Sequence, residues 1–269
     1  MRRRLALLVA VGLAFSACAA ATKPVDTAPA TGQQNATATP TQGGAQPTAA
    51  VAITEQPTQA AQADAKVGVV RTYFKSWDDG IGYIQYQVVF EVKNTGGQNA
   101  DIHSGDQSFT IFAADGSVLE TGSFNYMFPQ VLKPGELGYY IGGSMFDKGT
   151  KLADVGKIEP SLSYKATDKE QVAWDISNLK VAKESLFGGI EVSGVAKNTG
   201  TEDATLGVVG VVLFDANGEI LGGVVDNVTC MDLRAGASKG FKSSYPGTPP
   251  MDPAKVKTTK AFGLSYFFF

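Results

Sequence analysis

The sequence predicts an all-β protein, with two tandem antiparallel β-sandwiches following a leader and a long polar tether. Three observations predict it. The composition changes at Lys66: Ala, Thr, Pro and Gln dominate before it, and aromatic and β-branched residues spread through the chain after it. Ile84, Tyr86, Val88, Phe90 and Val92 alternate with more polar neighbours such as Gln85, Gln87, Glu91 and Lys93. That period of two marks a strand with one buried face. Finally, Lys93-Asn94-Thr95-Gly96 returns 104 positions later as Lys197-Asn198-Thr199-Gly200. The folded part therefore reads as one unit used twice.

Composition bounds the rest. The chain has 269 residues, 31 of them glycine, and 18% are charged. The charged share lies below the usual quarter or so, and charged helical blocks are absent. The formal net charge is −3; setting aside Arg2, Arg3 and Arg4 leaves 20 basic against 26 acidic side chains, or −6. A mildly acidic chain with no basic cluster is a poor partner for nucleic acid, where phosphate neutralisation supplies most of the affinity.

Residues 1–17 read as a signal peptide. Arg2-Arg3-Arg4 forms a positive start and Leu5 to Ala17 an apolar run of 13 residues. That run is short of the roughly 20 needed to span a bilayer as a mature helix, and it suits a secretory signal. Phe15-Ser16-Ala17-Cys18 resembles the bacterial lipobox, in which small residues precede a cysteine; Phe15 stands where leucine is usual. The resemblance implies that Cys18 carries diacylglycerol on its thiol, is freed by cleavage before it, and is acylated at the new N-terminus. Ordinary cleavage near Ala17 is the alternative. Two or more acyl chains hold a protein on a membrane durably, where one is marginal.

Residues 18–65 comprise Cys18 and a tether of Ala, Thr, Pro, Gln and Gly, with recurring Gln-Pro-Thr and Thr-Pro-Thr. Such a segment buries too little surface to offset the entropy of ordering. Its prolines keep it extended, and about 47 residues reach at most on the order of 150 Å. It reads as an uncharged spacer or stalk, and its Thr and Pro content permits O-glycosylation.

The two units occupy residues 66–166 and 167–269. Asn94-Thr95-Gly96 reads as a turn, since Asn and Gly tolerate positive φ. A strand follows at Phe109 to Ala113, matched by Val211 to Asp215 displaced by 102. Asp115-Gly116 and Asn217-Gly218 are hairpin signals, leading into strands at Ser117 to Gly122 and Glu219 to Val225. Leu132-Lys133-Pro134-Gly135 matches Leu233-Arg234-Ala235-Gly236, and strands with Tyr139 and Tyr140, or Phe241, come next. Each copy closes on Leu-Ser-Tyr. In copy two the strand matching Ile84 to Val92 carries Gly188, Ile190, Val192, Gly194 and Ala196. The smaller side chains imply a thinner core or a closer neighbouring strand. Short strands with turns every 8–15 residues suggest immunoglobulin-like sandwiches of about 100 residues.

Phe109 to Ala113 and Val211 to Asp215 resemble the Phe-x-Leu-Tyr-Asp strand of the FxLYD domain family. The upstream Asn-Thr-Gly, the Asp/Asn-Gly turn and the Leu-x-Pro-Gly element also fit, over roughly residues 66–165 and 170–269. Val211 replaces the Phe in copy two and Ala113 the Asp in copy one. The resemblance implies an extracytoplasmic β-sandwich, frequent in bacterial lipoproteins, and it implies no reaction and no catalytic residues.

The residues carry no catalytic constellation. One histidine, His103, lies in a polar loop near Asp101 and Asp106. No Gly-x-Ser-x-Gly, phosphate loop or dinucleotide fingerprint is present. Asp215-Ala216-Asn217-Gly218-Glu219 lacks the remaining ligands of a calcium loop and reads as a hairpin turn. A hydrolase would need a cleft pairing two of Asp101, Asp106 and Glu184. With Cys18 lipidated, Cys230 has no intramolecular partner and reads as a small buried apolar residue, or as one half of an intermolecular disulfide. Phe124, Tyr126 and Phe128 form the densest aromatic cluster outside an alternating strand, and they are either core or a contact surface for a protein or glycan partner. The terminal Phe267-Phe268-Phe269 poses the same choice.

The sequence thus leads to a non-enzymatic lipoprotein held on the extracytoplasmic face of a membrane through Cys18. Its repeats would mediate envelope or extracellular interactions with an unknown protein or glycan, without cofactor or metal. The second reading is a ligand-capturing accessory lipoprotein of a transporter or envelope enzyme complex.

Overall fold

The computed structural model describes residues 64–265, apart from 103–106, 125, 148, 173, 186–187, 205, 227–231 and 246. Cys18, His103, Asp106, Cys230 and Phe267-Phe268-Phe269 lie outside the described residues. The described part is all-β and falls within one compact unit. None of its helices is long and apolar enough to cross a membrane.

The first half holds β1 (Val67–Asp78), β2 (Ile84–Asn94), β3 (Asn99–Asp101), β4 (Ser108–Ala113) and β5 (Val118–Ser123). It continues with β6 (Tyr126–Phe128), β7 (Val131–Leu132), β8 (Leu137–Met145), β9 (Val155–Ser161) and β10 (Lys165–Thr167). The second half holds β11 (Asp175–Lys183), β12 (Ile190–Lys197), β13 (Gly207–Phe214), β14 (Ile220–Asp226), β15 (Ser238–Ser243) and β16 (Thr258–Ser265). Every pairing is antiparallel.

Strand order repeats as the sequence repeats. In the first half, β1-β2-β8-β6 faces β5-β4-β9, with a small β10-β3-β7 sheet beside them. In the second, β11-β12-β15 faces β14-β13-β16. One core holds Val88, Phe90, Ile111 and Phe124 between the sheets of the first half. Another holds Ile190, Val192, Val211 and Phe241 between the sheets of the second. Above Gly194 the space is filled from the flanking strands, since an added Cβ would lie 2.8 Å from the Phe241 ring and 3.0 Å from Leu179. The small side chains of β12 therefore leave room for a large neighbour.

A third core joins the halves. Val89, Phe128, Tyr139 and Ile141 from the first pack on Val208, Val212, Phe214 and Leu264 from the second. The sheets thus stack in four layers: β5-β4-β9, β1-β2-β8-β6, β14-β13-β16 and β11-β12-β15. This corrects the one-sided reading of β2. Its polar members Gln87 and Glu91 are 0% and 5% exposed, turned into the joint rather than into water.

The duplicated Asn-Thr-Gly also departs from its expected geometry. Asn94, Thr95 and Gly96 have no positive φ; each copy has that conformation at its hairpin glycine, Gly116 or Gly218, and at its Leu-x-x-Gly glycine, Gly135 (φ 82°) or Gly236 (φ 73°). Asn94 is a buried pin. Its Nδ2 donates to the carbonyls of Gln98 (2.7 Å) and Leu132 (2.9 Å), and its Oδ1 accepts from the Gly96 N–H at 3.0 Å. Asn198 repeats this with Glu202 (2.8 Å), Leu233 (3.0 Å) and Gly200 (2.9 Å). The two distant motifs of each copy therefore meet, because Gly135 N–H donates to Asn94 O at 2.7 Å and Gly236 N–H to Asn198 O at 2.9 Å. A buried amide with its donors and acceptors satisfied fixes register, and truncating it would strand two carbonyls.

Candidate functional site

The joint is built from side chains that only a close neighbour explains. An added Cβ on Gly210 of β13 would lie 2.4 Å from the Phe128 ring, so Phe128 sits directly on the β13 backbone. Gly222 of β14 has φ 141° and would meet Gln87 Oε1 at 2.3 Å. There Gln87 Nε2 donates to Gly223 O at 2.7 Å and to Gly247 O, while its Oε1 accepts from the Gly223 N–H at 3.1 Å. One glutamine clamps two segments of the other copy.

Beside this clamp runs a charged chain. Arg71 Nη2 meets Glu91 Oε2 at 2.6 Å, and Arg71 Nη1 donates to Gly218 O at 2.6 Å. Tyr139 donates to Glu91 Oε1 at 2.7 Å, and Lys260 Nζ donates to Tyr139 Oη at 2.6 Å. Burial first, then the Glu91 carboxylate that accepts its proton, holds the Tyr139 hydroxyl well above the usual tyrosine range. It therefore stays a donor at all physiological pH. Arg71 and Lys260 also lie 5.6 and 5.5 Å from the centre of the Phe214 ring. These groups are satisfied by one another, so they read as structural glue.

At one end the two central sheets part. Trp77 pairs with Gln85, which pairs with Met145. Gln85 precedes Gln87 by two residues, so it shares the face turned toward the second copy. Past the Gln87 clamp that face is uncovered, and a cleft of about 260 Å³ opens. Trp77, Asp79 and Gln85 of the first copy form one wall, and Glu184, Tyr245 and Thr248 of the second form the other. The second wall is held rigidly: Thr248 Oγ1 accepts from Ile190 N–H at 2.7 Å, and Val225 N–H donates to Tyr245 O at 2.6 Å. Tyr245 is 51% exposed.

Asp79 shapes the β1–β2 loop. Its Oδ1 accepts from the N–H groups of Ile81 (2.9 Å) and Tyr83 (3.1 Å), and its Oδ2 from Gln85 Nε2 (3.3 Å). Slight burial raises its pKa, but those hydrogen bonds outweigh it and hold the carboxyl below the usual range.

A second cleft, of about 240 Å³, also has Tyr245 in its lining. Tyr126, Glu120, Ser123 and Ser144 line it, and Tyr86 donates to Glu120 Oε1 at 2.7 Å. Among the described residues that line the two clefts there is no Lys, Arg or His. Nor do the described residues contain a group of three or more His, Cys, Asp or Glu able to hold a metal ion.

The three predicted aromatics separate. Phe124 (1% exposed) belongs to the first core, edge-on to Phe90 and tilted against Phe109 and Tyr140. Phe128 (0%) lies in the joint. Neither can meet an outside partner, because each ring already fills a packed apolar gap. Tyr126 alone reaches a cleft. Glu184 lines the seam cleft, whereas Asp101 sits in β3, opposite Lys165 and Val131. The sequence offers Trp77 among several aromatics of the first copy, but it does not single out Tyr245, and the β1 tryptophan and the loop tyrosine become a pair only once the halves are docked. Asp215 closes the expected hairpin, with its Oδ1 accepting from Asn217 and Glu219 N–H at 2.8 and 2.9 Å. Compared with known proteins, the chain matches no family model, no curated protein and no solved structure.

Proposed function

We propose that this chain is a non-enzymatic lipoprotein, anchored through Cys18 on the extracytoplasmic face of a membrane, whose fused FxLYD-like, immunoglobulin-like repeats recognise a partner without transforming it. The observation that carries recognition is the seam cleft. Both repeats supply its walls, and the buried joint behind it keeps those walls in place. A preformed concavity with a few fixed polar groups is what a binding site requires. Asp79 is a poor general acid, because its hydrogen bonds favour the charged form while acid catalysis calls for a raised pKa. The anchor rests on Phe15-Ser16-Ala17-Cys18 and the tether behind it.

The cleft also supports the second reading, in which the protein captures a ligand for a transporter or envelope enzyme complex. Metabolic labelling with palmitate tests the anchor: label should enter the wild-type chain and be absent from Cys18→Ala, and equal label in both would end the proposal. Co-purification from native membranes tests recognition. Partners retained by the wild type should be lost from a Trp77→Ala, Tyr245→Ala double variant that still folds, and full retention would count against the cleft.

A further inference from the structure

We infer that the two clefts that share Tyr245 form one saccharide groove with two adjoining ring-sized subsites. This rests on the reading of the seam cleft as a recognition site and names its ligand class.

The lining chemistry selects it. Trp77 and Tyr245 offer aromatic faces in the first cleft, and Tyr126 and Tyr245 offer them in the second. The apolar C–H face of a pyranose packs on such rings, which carry large apolar area with little rotamer freedom to lose. Around the rings stand acceptors and hydroxyls: Glu184, Gln85 and Ser244 on one side, Glu120, Ser123 and Ser144 on the other. Carboxylates, amides and hydroxyls placed at ring edges accept from, and donate to, vicinal hydroxyls.

Other ligands fit less well. A phosphate, sulfate or carboxylate ligand would meet carboxylates and no cationic side chain among the described lining residues. A bare divalent cation needs several free oxygens, and Asp79 already accepts three hydrogen bonds from its own loop. Size limits the choice further. At about 260 and 240 Å³ each cleft falls just under the roughly 300–1,000 Å³ of small-molecule sites. Each therefore suits about one ring. Because Tyr245 belongs to both, a linked pair of rings would share it, with one ring in each cleft.

The test uses the full chain in a detergent without a sugar headgroup. Saturation-transfer difference NMR is run with glucose, galactose and N-acetylglucosamine, and with disaccharides of each. Transfer to ring C–H protons is expected, with disaccharides binding about tenfold more tightly than their monosaccharides. Tyr245→Ala should abolish transfer. Tyr126→Ala should leave monosaccharide transfer and remove the disaccharide gain, with circular dichroism confirming that both variants fold. No transfer to any of these sugars, or equal transfer in wild type and Tyr245→Ala, overturns the inference. Should sugars fail while the Trp77→Ala, Tyr245→Ala variant still loses its co-purifying partner, the saccharide assignment falls and the recognition reading stands.

Discussion

Strands β4 and β13 hold the same place in the two halves, at the centre of a three-stranded sheet, yet they are buried differently. Along β4, Phe109 and Ile111 are buried while Ser108, Thr110 and Phe112 are half-buried. Along β13 every residue is buried. Thr110 corresponds to Val212 and Phe112 to Phe214. Both phenylalanines carry a cation over the ring: Lys157, paired at the surface with Glu159, lies over Phe112, while Arg71 and Lys260 lie over Phe214 within the joint. The repeat therefore kept its inner faces and diverged on one outer face. The lesson is that the joint is head-to-tail, since the β1-β2-β8-β6 sheet of one copy meets the β14-β13-β16 sheet of the other. The corresponding outer faces at the two ends of the stack carry charged pairs, Lys157–Glu159 and Lys242–Glu191. Two polar ends close a heterologous stack that could otherwise propagate.

The comparison breaks most sharply at Phe128. Phe128→Ala empties the space over Gly210 and should cost about 4 kcal/mol in urea unfolding, together with weaker coupling of the two halves. Next come the paired phenylalanines. Phe214→Ala should cost about 3 kcal/mol, and Phe112→Ala less than about 1 kcal/mol; equal costs would deny that only one outer face is packed. Smaller again is an exchange at the matched position. Val212→Thr buries a hydroxyl in the joint and should cost about 1–3 kcal/mol, whereas Thr110→Val should stay within about 0.5 kcal/mol.

The smallest effect is a pH dependence at the seam. Asp79 has a lowered folded-state pKa, so its contribution is present above the ordinary value of 3.8 and is lost as pH falls through the folded value beneath it. Wild type should exceed Asp79→Asn in urea midpoint at neutral pH, and the gap should close at acid pH below 3.8. A gap that widens there would reverse the assigned sign.

Much of each sandwich was legible in the residues. Alternation placed β2, the Asp-Gly and Asn-Gly hairpins placed β4 with β5 and β13 with β14, and the repeat implied one strand order used twice. The joint was harder to read. Alternation along β2 pointed Gln87 and Glu91 to water, because a polar side chain satisfied by a second domain looks the same in sequence as one satisfied by solvent. A usable sign lay in Val208 to Phe214, an unbroken apolar run interrupted only by Gly210, which marks a strand buried on both faces. The cleft was illegible for a further reason: Trp77 and Tyr245 lie 168 positions apart, and only docking brings them to opposite walls. Tyr126 shared its short segment with Phe124 and Phe128, and spacing alone could not say which ring the packing would leave accessible.

The most direct test of a shared joint uses the two tryptophans, one in each half: Trp77 in β1 and Trp174 just before β11. Trp77→Phe leaves Trp174 to report on the second sandwich, and Trp174→Phe leaves Trp77 to report on the first. Urea unfolding of both variants is followed by fluorescence and by far-ultraviolet circular dichroism. If the third core makes the halves one cooperative body, each variant's fluorescence transition coincides with its own circular dichroism transition. Within either variant, a fluorescence midpoint apart from a biphasic circular dichroism curve would show two sandwiches that unfold independently and would contradict the joint.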